Sequence, residues 1–224
     1  LHEDWLWAYE AHRHVGSYVP DAHQSGRRAL AGLALNMLCL SAVHAGDEIW
    51  QGKTLQAFKD AGNMTDRFHA LTALVQSGSK LAENALHRFH DTYRHEALVI
   101  DKWFALQAII PEAETLERVR SLMSHPAFTM TNPNRLRSLI GSFAMANPTC
   151  FNAADGSGYD FLGQLVIEID KTNPQVAARL LVAFKSWKSL EPQRQQAARR
   201  ALTHVQSAGD LSTDLRDIVE RSLA

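Results

Sequence analysis

The 224-residue sequence carries almost no surplus of charge: 23 lysines and arginines stand against 24 aspartates and glutamates, a formal net charge of -1. That balance leaves no electrostatic footprint for nucleic acid or for an anionic membrane surface, and neither is expected as a partner. Cysteine is scarce, with only Cys39 and Cys150, each in an apolar context. A disulfide scaffold is thereby disfavoured, and two reduced, buried thiols are expected. No apolar run approaches the ~20 residues of a membrane span. The longest, Ala29 to Val43, is broken by Asn36. The opening LHEDWLW is acidic and lacks both the basic start of a secretory signal and an initiator Met. The expectation is a cytoplasmic segment, cut from a longer polypeptide whose N-terminal part is missing. No stretch alternates convincingly at period two, so no β-sheet is expected.

What is present is helical spacing almost throughout. Gly16 to Gly26 (GSYVPDAHQSG) reads as a linker, rich in Gly, Pro and Ser. Before it, Leu1 to Val15 has the spacing of a helix that began upstream. After it, Arg27 to His44 reads as a strongly apolar helix with Leu30, Leu33, Ala34, Met37, Leu38 and Ser41 on one side. Further helices are expected over 47–59 (Ile49, Leu55 and Phe58 inward), 65–75 (capped by Thr65 or Asp66), 79–93, 96–110 and 113–123. Two more close the chain, Glu191 to Gln206 and Ser212 to Leu223.

The stretch Thr131 to Leu180 organises the rest. Three Asn-Pro pairs punctuate it, at 132–133, 147–148 and 173–174. An Asn side chain can accept from a free N–H of a first helical turn, and Pro loses nothing at the first helical position. Pro133 and Pro174 therefore read as helix starts. Asn147-Pro148 reads as a stop, because a residue before Pro is pushed out of helical geometry. Leu136, Leu139, Ile140 and Phe143 share one helix face, as do Leu162, Leu165, Val166 and Ile169. Ser157 reads as the cap of the second of these helices. The fold class is all-α, roughly eleven helices in short hairpins. Such hairpins bury their faces by stacking, as in HEAT or armadillo superhelices. The 41-residue step from Asn132 to Asn173 is near the ~40–47 residue period of those arrays.

Catalytic signatures are missing. A zincin needs H-E-x-x-H, which sets two imidazoles on one helix face with a Glu beside the metal water. Here His2-Glu3 leads to Leu6 and His95-Glu96 leads to Val99. His12 and His14 point to different helix faces; His87 and His90 can share one but lack a third ligand. Ser157 in Gly156-Ser157-Gly158 lacks the G-x-S-x-G elbow. The five Trp are too dispersed for a stacking platform, and Trp103 reads as core. Among the basic residues, Arg135 and Arg137 follow Pro133 closely, while Gln175 and Arg179, at i and i+4, project from one helix face. On spacing alone these are solvated charges or partners of Asp155 and Asp170.

Five words change that weighting: NMTDR (63–67), VIDKWFALQA (99–108), NPNRLRSLIG (132–141), ADGSGY (154–159) and NPQVAARL (173–180). With them the chain resembles the C-terminal helical domain of the bacterial aminopeptidase N family of zinc metallopeptidases, from about Asn63 to the end. The family usually has His where Asn152 stands. The resemblance implies a single helical domain over 1–224 that is not itself catalytic. It would have the catalytic domain of the same polypeptide and a peptide substrate as partners. No cofactor is expected in this chain, because zinc belongs to the catalytic part. The family's helical domain closes over the active-site chamber, and positions matching Arg137, Gln175 and Arg179 face that chamber. The resemblance therefore implies that these three line a substrate cavity, and that the domain alone is inactive. Two rivals stand beside it: a free-standing helical scaffold that binds a protein or peptide in a concave groove, and a His-based metalloenzyme within this chain.

Overall fold

The computed structural model describes residues 1–13 and 16–224. His14 and Val15, the end of the expected first helix, lie outside the described residues. Among the described residues there are helices and turns but no strand. The chain folds as two compact units, Leu1–Glu96 and Ala97–Ala224.

The first unit holds α1 (His2–His12), α2 (Ala22–Ala45), α3 (Glu48–Asp60), α4 (Met64–Gln76) and α5 (Ala82–Tyr93). α2 packs against α1, α3 and α4, and α4 against α5. The expected linker over 16–26 is shorter than read. Asp21 accepts from the Gln24 N–H at 2.7 Å, so α2 begins at Ala22 and carries Gly26 within its second turn. α2 is thus 24 residues long, and its best window has a mean hydropathy of 1.3, enough to cross a membrane by length and composition alone. Its surroundings are those of a core helix: Asn36 donates to Gln76 on α4 at 2.9 Å, and Leu38 and Cys39 are sealed. The buried stripe of α2 matches the expected one only in part, at Ala34 and Leu38. It runs through Arg28, Ala31, Leu35, Leu38 and Ala42, leaving Leu30 and Leu33 at 37% and 49% exposure. α2 is apolar on nearly every side, so periodicity could not choose the face; the alanines allow the close approach of α1 and α4. In α3 the expected Ile49 is exposed and Trp50 is buried instead.

α4 is capped by Asn63, ahead of the Thr65 or Asp66 expected; Asn63 Oδ1 accepts from the Asp66 N–H at 2.9 Å. Arg67 of the same word then reaches back to the end of α3, donating to the Ala61 carbonyl at 2.7 Å and the Phe58 carbonyl at 3.3 Å. These are carbonyls at a helix C-terminus, where a cation is favourable.

The second unit opens with α6 (Ala97–Ala108) and α7 (Thr115–Met123). One continuous helical rod follows: α8 (Pro133–Leu136), a π turn (Arg137–Gly141) and α9 (Ser142–Ala146). α10 (Pro148–Phe151), α11 (Ser157–Asp170), α12 (Pro174–Leu181), two 3₁₀ turns (Val182–Phe184 and Trp187–Ser189), α13 (Pro192–Ser207) and α14 (Thr213–Leu223) complete it. All three Asn-Pro pairs open helices. Asn132 accepts from Asn134 N–H at 2.9 Å, Asn147 from Cys150 N–H at 3.1 Å and Asn173 from Val176 N–H at 3.2 Å. Asn147 is therefore more than the stop that was expected. It ends α9, starts α10, and its amide donates to the carbonyls of Ala108 and Ile110 at 3.0 and 2.8 Å. Leu136, Leu139, Ile140 and Phe143 are fully buried, as their spacing predicts. Around them lies a knot of rings, with Phe143 edge-on to Phe151 and Phe161 at 6.2 and 5.8 Å. Tyr159 sits edge-on to Phe151 at 5.2 Å. Such pairs add about 0.5–1.5 kcal/mol each beyond the area they bury.

Both thiols are free and buried. Cys150 points at the Glu112 carbonyl at 3.1 Å, and burial pushes its thiol above the ordinary value.

Candidate functional site

Arg137, Gln175 and Arg179 come from two separate elements, yet all three line one cleft of about 700 Å³. On one wall the π turn and α9 present Arg137, Gly141, Ser142 and Met145. α12 forms the other wall with Gln175, Val176 and Arg179, and Val182 stands at its end. The π turn is a local reason for the geometry. The Ser142 N–H donates to the Arg137 carbonyl five residues back, so one extra residue is accommodated within the rod. Such bulges are rare and often mark functional sites. Nothing in the residue spacing announced it. Nor did spacing single out Met145, 52% exposed on the wall, or Val182, 44% exposed at the end.

The cleft is cationic by composition: two arginines line it and no lining residue is acidic. Arg137 is exposed and donates to the Asn134 side chain. Among the described residues no hydrogen bond or ion pair engages the side chains of Gln175 or Arg179, and both are exposed at the rim. Their donors face solvent, ready for a ligand oxygen. The two acids considered as their partners are occupied elsewhere. Asp170 accepts from the N–H of Ser212 at 2.7 Å and from its hydroxyl at 2.5 Å, fixing the start of α14. Asp155 accepts from the N–H and hydroxyl of Ser157, at 2.9 and 2.8 Å. Ser157 is thus the first residue of α11 rather than its cap; Gly156 is the N-cap, and Asp155 before it accepts from the first N–H of the helix.

Those two bonds, the backbone one foremost, hold the Asp155 carboxyl below the usual carboxylate range. A depressed folded pKa means the stabilisation is present above the unfolded value, near pH 4, and is lost as pH falls through the folded one. Asp155→Ala is accordingly expected to lower the thermal midpoint at pH 7. Its difference from the parent should shrink towards pH 3, which a pair of melting series would check.

Arg135 departs most from its expected role as a solvated charge. It is 8% exposed and paired with Asp101 of α6. It also donates to the carbonyls of Ala97 and Ala127, both at 2.9 Å. It holds α8 to α6, away from the cleft wall.

Histidines are dispersed in capping and packing roles. His44 bonds the Leu40 carbonyl at 2.9 Å, and His125 lies against Trp103 at 5.2 Å while accepting from the Ala127 N–H at 3.1 Å. His90 approaches Asp91 at 3.7 Å. Among the described residues no three His, Cys, Asp or Glu side chains converge to hold a metal ion. The donor set for zinc is not found among them; what the cleft offers is the exposed guanidinium and amide donors of Arg137, Arg179 and Gln175.

A family model described as a domain of unknown function (DUF3458_C) with ARM repeats matches residues 1–224. Aminopeptidase N of Escherichia coli is 37% identical over 224 residues, all of this chain and 25% of that protein. Aminopeptidase N of Haemophilus influenzae is 36% identical over 223 residues, again all of this chain and 25% of the relative. Among solved structures, Legionella pneumophila aminopeptidase A in complex with aspartic acid superposes with a TM-score of 0.87 at 28% identity. That match covers 99% of this chain and 26% of the other. The chain spans about a quarter of the length of these relatives. A family model matched from the first residue to the last makes this chain a member of the DUF3458_C family of ARM-repeat domains.

Proposed function

We propose that this chain is the non-catalytic helical domain of a zinc aminopeptidase, an enzyme that releases N-terminal residues from peptides. It closes over a catalytic domain carried elsewhere in the same polypeptide and forms part of the substrate-cavity wall. One observation carries the reading: in a chain matched end to end by aminopeptidases, Arg137, Gln175 and Arg179 line one acid-free cleft. A guanidinium offers a fixed fork of donors that fits a peptide carbonyl or carboxylate. Enclosure by a helical lid also excludes bulk water, which strengthens every such contact inside. The zinc and its ligands belong to the remainder of the polypeptide, and the domain's own residues would position the peptide.

The test uses the full-length enzyme. Arg137→Ala and Arg179→Ala are each expected to raise KM about tenfold or to shift peptide-length preference, since a hydrogen bond to a charged donor is worth roughly 1.5–3 kcal/mol. Bound zinc, measured on the same samples, should be unchanged. Identical kinetics over several peptide lengths would remove the cleft from the substrate path.

A further inference from the structure

Val182 stands at one end of the cleft. The same residue lines a second groove of about 300 Å³, formed by Lys185, Trp187, Lys188, Ile218 and Arg221. The two depressions share that half-exposed valine as a common sill.

Local structure explains why the groove is basic. Phe184 and Trp187 are buried at 1% and 8% exposure, and Trp187 is pinned by its Nε1 donating to the Ser222 carbonyl at 3.0 Å. With those rings turned inward, the residues that follow each of them, Lys185 and Lys188, are left outside. Lys188 stands 5.6 Å over the Trp187 ring, while no ion pair among the described residues engages Lys185. Arg221 completes the rim, tied to Asp217 at 2.8 Å and still 74% exposed. No lining residue of either depression is acidic, and Asp217 pairs with Arg221 alone of the three cations among the described residues. Scattered surface lysines ordinarily do little. Here they ring an apolar floor beside a cleft already lined by two arginines.

We propose that this groove is a distal subsite for longer peptides, and that it favours carboxylates towards the C-terminal end of the substrate. The inference rests on the reading of the cleft as the peptide-holding wall. A chain leaving the cleft past Val182 meets Ile218 and Trp187 with apolar side chains and the three cations with acidic ones. Charge complementarity of this kind selects among partners more than it adds affinity.

The experiment compares the full-length enzyme with Lys185→Glu/Lys188→Glu and with the milder Lys185→Ala/Lys188→Ala. Peptides of equal length carry either Glu or Gln in their C-terminal half, and each is made with a free and an amidated C-terminus. The readout is the ratio of kcat/KM for acidic over neutral peptide. The ratio should fall about tenfold in the charge-reversal variant and by a smaller factor in the alanine variant. It should also decline in the parent as salt is raised, because exposed charges are screened. Loss of preference for the free carboxylate alone assigns the groove to the terminus; loss for Glu alone assigns it to side chains. A ratio that stays constant in both variants, with melting curves matching the parent, overturns the subsite. If Arg137→Ala and Arg179→Ala change KM while this ratio stays constant, the groove alone fails. If those two variants change nothing either, the cleft reading fails with it.

Discussion

Asp101→Ala is expected to destabilise this chain by about 3–5 kcal/mol, because it strands a buried cation. Arg135 holds three acceptors at once: the Asp101 carboxylate and the carbonyls of Ala97 and Ala127. Its guanidinium also lies 5.6 Å from the Phe104 ring. Asp101 is itself 13% exposed. With the carboxylate removed, water cannot reach the arginine well enough to replace it. Arg135→Lys should cost nearly as much, since an ammonium lacks the fork that reaches acceptors on α6 and on the loop before α8. Urea unfolding followed by the far-ultraviolet circular dichroism of the helices measures both. A loss under about 1 kcal/mol for Asp101→Ala would match an exposed pair instead and contradict the burial.

Gly158→Ala is expected to be the most damaging single methyl in the second unit, at about 3 kcal/mol or more. A Cβ there would run into the Phe151 carbonyl oxygen and lie 2.9 Å from the Phe151 Cα. Those are backbone atoms of α10, and they cannot turn aside as a flexible side chain would. The two nearby helices must separate, opening the ring cluster of Phe151, Tyr159 and Phe184. Gly209→Ala is the control, since nothing lies within 4 Å of a Cβ there. It should stay within about 0.5 kcal/mol of the parent. Equal melting temperatures for the two variants would contradict the close packing of α10 on α11.

These two sites also show how words in a sequence become legible. NPNRLRSLIG and ADGSGY carry the family resemblance, and each contains a residue whose role is structural rather than catalytic. Arg135 ties α8 to α6, and Gly158 admits the backbone of α10. Arg137, two residues beyond Arg135, faces the cleft. Residue type could not separate the two arginines; their opposite fates depend on which neighbours occupy each side of the rod.

The sequence by itself determined the helical class, the capping role of the Asn-Pro pairs at 132–133 and 173–174, and the buried face Leu136, Leu139, Ile140 and Phe143, because capping and periodicity act over a few residues. It also placed Gln175 and Arg179 on one helix face. Tertiary structure alone decided the rest. It chose the alanine stripe of α2 over Leu30 and Leu33, since a helix apolar on nearly every side has no strongly preferred face until α1 and α4 press against it. It set the π turn and brought Arg137 to the same cleft as residues 38 and 42 positions away. It set the basic groove beside that cleft, with Val182 lining both. Proximity of this kind comes from the packing of separate helices, and no local spacing encodes it.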